Sequence, residues 1–287
     1  NFDSANDSLQ LRLQQVREHP HIRVLTNSEV SAVSGYVGNF QVTVSPAGQV
    51  SHADAHCSLL PAPCYFDIGA IVVATGYQLM PKERLGEYGA GQYLNVVDGL
   101  QVEAMLRPDG PTGGKILRAS DGKPPKEVVW VQCAGSRDSE HGVPYCSKVC
   151  CMYVTKQATL FKQQVPDGQA YVFYIDIRSG GKGYEEFVQS AMEEHGVLYL
   201  RGKVSKVFEE GDKVIVWGVD TLTGKHIEIY ADLVVLAMAV VPSAGRSNAS
   251  AEGHPGGHRA GERSSREGAI PLLAQRNDTR ATGGLCR

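Results

Sequence analysis

The sequence predicts an α/β fold in which buried parallel strands alternate with helices, and three observations carry that prediction. Residues 128–131 and 233–237 are continuous apolar runs of strand length, as expected of strands covered on both faces. Tyr184, Phe187, Val188, Ala191 and Met192 recur at helical spacing between two further strand-like runs, 171–177 and 197–200. Small-residue turns separate these elements, as at Gly135, at 179–183 and at Gly196.

The elements follow in chain order. Leu9, Leu11, Leu13 and Val16 lie in a stretch that reads as a helix ending near Pro20. Residues 22–25, 30–33 and 40–44 read as short strands, the last two flanking a turn at 35–39. Residues 70–74 form a continuous apolar run, expected as a buried parallel strand ending in Ala74, Thr75 and Gly76. Small residues at a strand's carboxyl end allow close backbone approach to a ligand, where open α/β sheets bind theirs. Residues 96–106 read as a helix with Val97, Leu100, Ala104 and Met105 or Leu106 facing inward. Residues 108–114 and 121–125 read as turns and an exposed loop, rich in Pro and Gly. Beyond the 184–192 helix, 204–208 and 214–219 form a hairpin around Gly211, and 227–230 extends that meander. After Ser243 the chain is rich in Gly, Ser, Arg and His, with one apolar stretch at 269–274, and reads as disordered.

Bulk properties exclude several function classes. The chain has 287 residues and a formal net charge of −3, so no strong nucleic-acid or anionic-membrane partner is implied. No apolar run approaches the length of a transmembrane helix, and no signal peptide is visible, so direct membrane insertion is not expected. Seven cysteines, most of them clustered, fit a reducing cytoplasm better than a disulfide framework.

Cys133, Cys146, Cys150 and Cys151 follow the spacing C-x12-C-x3-C-C across one expected strand–loop–helix unit. A [4Fe–4S] cluster needs four thiolates around an anionic cube. Cys146 and Cys150 stand four apart and are expected to share a helix face. Cys151 is turned about 100° from Cys150, so it joins only at the helix end or through an irregular first turn. Zinc, redox-active thiols, a strained Cys150–Cys151 disulfide and inert buried thiols remain as other readings of the spacing. Cys57 and Cys64, with His52 and His56 nearby, could hold a metal but read better as free loop thiols. The loop at 179–183, with its glycines and Lys182, could cradle a phosphate, but no Walker motif is present and it reads better as a simple flexible βα loop.

The run Val131-Gln132-Cys133-Ala134-Gly135-Ser136-Arg137-Asp138, followed by Pro144-Tyr145-Cys146-Ser147-Lys148-Val149-Cys150-Cys151-Met152-Tyr153, closely resembles the A subunit of heterodisulfide reductases. The resemblance covers about residues 10–243. It implies a two-dinucleotide-binding-domain flavoprotein-like, thioredoxin-reductase-like fold with β-meanders, present here as a fragment. It also implies a [4Fe–4S] cluster on Cys133, Cys146, Cys150 and Cys151, and FAD beside the Ala74, Thr75, Gly76 strand end. The family's inserted clusters are expected to be absent, since no repeated C-x2-C spacing is found. The implied organisation is a partial FAD-binding domain at 1–110, a Rossmann-like domain carrying the cysteines at 111–243, and a disordered or aberrant tail at 244–287. The implied function is an oxidoreductase component relaying electrons between FAD, the cluster and partner subunits, with an electron-donating hydrogenase or dehydrogenase among them. The catalytic residues are not assigned. Membership of a quinone-interacting complex, a pyridine-nucleotide disulfide reductase using thiols, and a cofactor-free scaffold with an intact fold are the competing functions. Weak FAD retention by this chain and no productive NAD(P)H binding are expected.

Overall fold

The computed structural model describes residues 5–47, 63–243 and 272–275. It divides into two compact units, one holding residues 1–77 and 242–287, the other 78–241.

In the first unit, α1 (Ala5–Glu18) precedes a segment that takes no strand conformation at 22–25. The strand expected there is absent because Ile22 and Val24 stay exposed and, among the described residues, no neighbouring strand pairs with them. β1 (Ser28–Tyr36) and β2 (Asn39–Pro46) form an antiparallel hairpin, and β3 (Cys64–Ile68) pairs antiparallel with β2. Val30, Val42, Val44, Cys64 and Ile68 make its small core. Cys64 is therefore a buried strand residue, not the loop thiol expected, while Cys57, His52 and His56 lie outside the described residues.

β4 (Ala70–Val73) corrects a second expectation. It is neither buried nor parallel: Val72 and Val73 are more than half exposed, and the strand pairs antiparallel with the late segment Leu272–Gln275. Apolar composition predicts burial only where some element supplies a cover, and no parallel neighbour flanks β4 among the described residues. Leu272–Gln275, which pair with β4, are the part of the tail after Ser243 that is described. The rest of the tail lies outside the described residues.

The second unit is built on one parallel sheet. After β5 (Tyr77–Leu79) and a 3₁₀ segment at Lys82–Tyr88 come β6 (Val96–Asp98), α2 (Gly99–Leu106), β7 (Glu127–Ala134), α3 (Cys150–Gln164), β8 (Gln169–Tyr174) and α4 (Tyr184–Glu193). Then follow β9 (Leu198–Arg201), the meander β10 (Val204–Glu210), β11 (Lys213–Asp220) and β12 (Lys225–Ala231), β13 (Leu233–Met238) and β14 (Val240–Pro242). The short β14 pairs with β5, and the segment Leu272–Gln275, paired with β4, is β15. The main sheet runs β6-β13-β7-β8-β9, all parallel.

Alternation along β7 and β13 explains why both strands read as continuous apolar runs. Val128, Trp130, Leu233 and Val235 pack with α3 residues Val154, Ala158 and Phe161. Val129, Val131, Val234 and Leu236 pack on the other face with Val207, Val214, Val216 and Ile229 of the meander. The sheet is thus covered by helices on one face and by an antiparallel meander on the other. The buried Trp130 indole N–H donates to Gln157 Oε1 at 3.2 Å, and Gln157 Nε2 donates to the Gly99 carbonyl at 3.0 Å, linking β7, α3 and α2.

The expected helix at 96–106 is shortened by β6, which enters the sheet beside β13. Val102 faces inward, fully buried, whereas Leu100 is 49% exposed. Among the described residues no helix is long and apolar enough to cross a membrane.

Candidate metal centre

The four cysteines lie along the connection from the carboxyl end of β7 to the first turn of α3, which begins with a backbone irregularity. The register between β7 and β13 slips between Val131↔Leu236 and Ala134↔Met238, so Gln132 and Cys133 together face Ala237. This is a bulge, which kinks a strand and re-aims its side chains. Cys133 takes a left-handed backbone with φ of 58°. Among the described residues four non-glycines have positive φ, and three of them, Cys133, Arg137 and Lys148, belong to this loop. A left-handed residue costs about 1–2 kcal/mol unless it is glycine. Surrounding bonds must over-determine such a loop, and strain of this kind concentrates at functional sites.

Those bonds are present. Arg137 N–H donates to the Tyr145 carbonyl at 3.0 Å, Asp138 N–H to Val143 at 3.0 Å and Val143 N–H to Gly135 at 2.8 Å. The Ser136 and Ser147 hydroxyls share a hydrogen bond at 2.7 Å, and Val240 N–H donates to Ser147 Oγ at 2.9 Å. Gly135, with φ of 79°, sits where an added Cβ would run into Met80, so the turn closes tightly over the sheet.

Cys146 lies in this loop, four residues before α3 begins. The shared helix face expected for Cys146 and Cys150 is therefore not formed. Cys150 and Cys151 open the helix, as the helix-end alternative required. Left-handed Lys148 turns the chain between them, and its N–H donates to Cys146 Sγ at 3.2 Å. Cys150 and Cys151 are buried, and Cys133 and Cys146 are partly exposed. All four are free thiols, so the vicinal disulfide is not formed.

Burial sets the electrostatics. It pushes the Cys150 thiol up to about 12, with Cys133, Cys151 and Cys146 adding to the effect. It raises Cys133 against the pull of Arg137, and raises Cys151 against the Arg178 backbone N–H. The thiols thus feel one another's charge. Asp176 is held below the usual carboxylate range by its hydrogen bond from Arg178, with Arg137 contributing. Arg137 pairs with Asp176 at 2.7 Å and Arg178 pairs with it at 3.2 Å, placing two guanidinium groups beside the cysteines. Arg178 is joined to this group through its side chain and through its backbone N–H, which donates to Cys151 Sγ at 3.3 Å. Among the described residues no three His, Cys, Asp or Glu side chains stand close enough together to grip a single metal ion.

Gln132, Arg137 and Asp176 were not singled out by sequence reasoning. A polar residue inside an apolar strand was the available signal for Gln132. Its Oε1 accepts the Cys151 S–H at 3.0 Å, and its buried Nε2 has no partner. Ala74, Thr75 and Gly76 belong to the other unit: Ala74 and Gly76 are exposed, Gly76 has φ of 70°, and open space surrounds the position of its missing Cβ.

No family model matches the chain. Among curated proteins, the iron-sulfur A subunit 1 of the CoB--CoM heterodisulfide reductase of Methanopyrus kandleri is 34% identical over 309 aligned residues, covering 83% of this chain. Over the matched region the chain belongs to the A-subunit family of heterodisulfide reductases. It spans 46% of that family member's length. Another member, the A subunit of the Ferredoxin/F(420)H(2)-dependent CoB-CoM heterodisulfide reductase of Methanosarcina acetivorans, is 44% identical over 184 residues, 64% of this chain and 23% of its own. Among solved structures, T. acidophilum thioredoxin reductase aligns at 14% identity with a TM-score of 0.42, covering 83% of this chain and 60% of that one.

Proposed function

We propose that this chain is the electron-relaying part of an iron–sulfur flavoprotein oxidoreductase of the heterodisulfide reductase type, with a [4Fe–4S] cluster on Cys133, Cys146, Cys150 and Cys151. The observation that supports the reading is that all four free thiols lie along one strained, tightly bonded strand–loop–helix junction. The donor set suits the group. A cube several Å across keeps its thiolates apart, so thiols meant for it need not converge as they would on one ion. Two sulfurs already accept backbone N–H groups, from Lys148 and Arg178. Arg137 and Arg178 offset part of the negative charge. When bound, the cluster accepts and releases single electrons. The residues around it hold the thiolates, limit water access through burial of Cys150 and Cys151, and set the local charge.

The exposed strand end at Ala74, Thr75 and Gly76 is the proposed FAD contact, because its small residues leave the backbone open to approach. Partner subunits of the same complex, with an electron-donating hydrogenase or dehydrogenase among them, supply and take up the electrons. Productive NAD(P)H binding is not part of the reading. The N–H groups of Ser136, Arg137 and Asp138 in the turn between β7 and α3 are spent on Cys133, Tyr145 and Val143, leaving fewer to hold a pyrophosphate.

The test is iron content. Protein prepared anaerobically should carry about four irons per chain. Cys150→Ser should lower that occupancy or change the visible spectrum. Iron-free protein, or one bound zinc, would replace this reading with thiol redox chemistry or a structural zinc.

A further inference from the structure

Gln132 is 5% exposed and interrupts an otherwise apolar strand. Its Oε1 accepts the Cys151 S–H at 3.0 Å, and its Nε2 is buried without a partner. A buried amide donor left unpaired costs about 1–3 kcal/mol. The arrangement belongs to the protonated thiol. A cysteine that ligates a metal loses its proton, and its sulfur becomes an acceptor only. The Gln132 carbonyl oxygen would then face a negative sulfur. Turning the amide over exchanges Oε1 for Nε2, brings an N–H donor to the sulfur and ends the isolation of that donor.

We propose that Gln132 is a positioning residue that donates an Nε2–H···S hydrogen bond to the Cys151 thiolate and thereby raises the reduction potential of the cluster held there. It acts beside the Arg178 backbone N–H, which already reaches that sulfur at 3.3 Å. The inference rests on the cluster reading above. Its physical basis is that a hydrogen bond to a cluster sulfur favours the more negative, reduced state over the oxidised one. The bulge at Gln132 and Cys133 is what allows two consecutive residues of β7 to serve the same group of thiols.

The experiment compares the full chain, prepared anaerobically, with its Gln132→Met and Gln132→Leu variants. Met keeps the length and Leu keeps most of the bulk, and neither carries a donor. Iron content reports whether the cluster is present. A potentiometric titration followed by the EPR signal of the reduced state reports its midpoint. Both variants should hold iron and titrate at a lower potential than the unaltered chain. After exchange into deuterated water, pulsed ENDOR should lose one exchangeable deuteron coupling in both, while the coupling from the Arg178 N–H persists. Should one variant fail to fold, the other carries the comparison. Iron-loaded variants with an unchanged midpoint and unchanged couplings would overturn the role of Gln132 and leave the cluster reading intact. An unaltered chain that takes up no iron would overturn both.

Discussion

Asp232 shows how a single buried charge secures the sheet beneath the site. Its carboxylate accepts Lys213 Nζ at 2.7 Å, Arg118 Nη1 at 3.3 Å, and the backbone N–H groups of Lys126 at 2.8 Å and Glu127 at 3.0 Å. It thereby joins the start of β13 to the start of β7 and to β11. Burial alone would raise its pKa, but Lys213 and the two N–H groups outweigh it, and the net direction is down. Removing one partner of a buried ion pair leaves the others uncompensated. Asp232→Ala should therefore cost about 3 kcal/mol or more, read from the urea midpoint. Because the folded pKa lies below the unfolded value near 3.9, the stabilisation is complete above that value. It is lost as pH falls through the folded pKa, and Asp232→Asn should lack that acid dependence. In the sequence Asp232 is one acidic residue before an apolar run, and nothing local marks it as the meeting point of segments distant along the chain.

At the level of elements, what was legible depended on whether the partner is local. Helix α3 could be read directly, because Cys150, Val154, Ala158 and Phe161 bury one helical stripe. Strands β7 and β13 were equally plain, since each is covered on both faces. The error at 96–106 arose from long-range pairing: β6 is a strand only because β13 lies beside it. The true helix start is nevertheless encoded. Asp98 accepts the Gln101 N–H at 2.9 Å, and Gln101 Oε1 accepts the Asp98 N–H at 2.9 Å, a complete capping box. Asp98→Ala should destabilise the unit by about 1 kcal/mol in urea denaturation, with little change in slope. β4 erred in the opposite direction, its apolar run promising a cover that no described element provides. Of the site itself, the thiols were legible as a spacing. The left-handed loop residues, Gln132, and the Arg137–Asp176–Arg178 group were not, because bulge geometry and the approach of β8 to α3 have no local signature.

At the scale of the whole molecule, the chain divides after Tyr77 rather than near residue 110, because β6 joins the main sheet and α2 packs with it. Cys133, Cys146, Cys150 and Cys151 all fall within 78–241, as do Gln132, Arg137, Asp176, Arg178, Ser147 and the Val240 backbone that brace them. This unit has its own five-stranded sheet and a core on each face of it, so it meets the physical requirements of an independent domain. Residues 78–241 expressed alone should therefore unfold cooperatively and take up as much iron per chain as the full sequence, while losing any FAD contact made at Ala74, Thr75 and Gly76. Parallel circular-dichroism melts and anaerobic iron assays on the two chains test this. A folded 78–241 chain without iron, alongside a loaded full chain, would mean that residues outside the unit contribute to holding the metal. An unfolded 78–241 chain would mean that its sheet depends on residues beyond it.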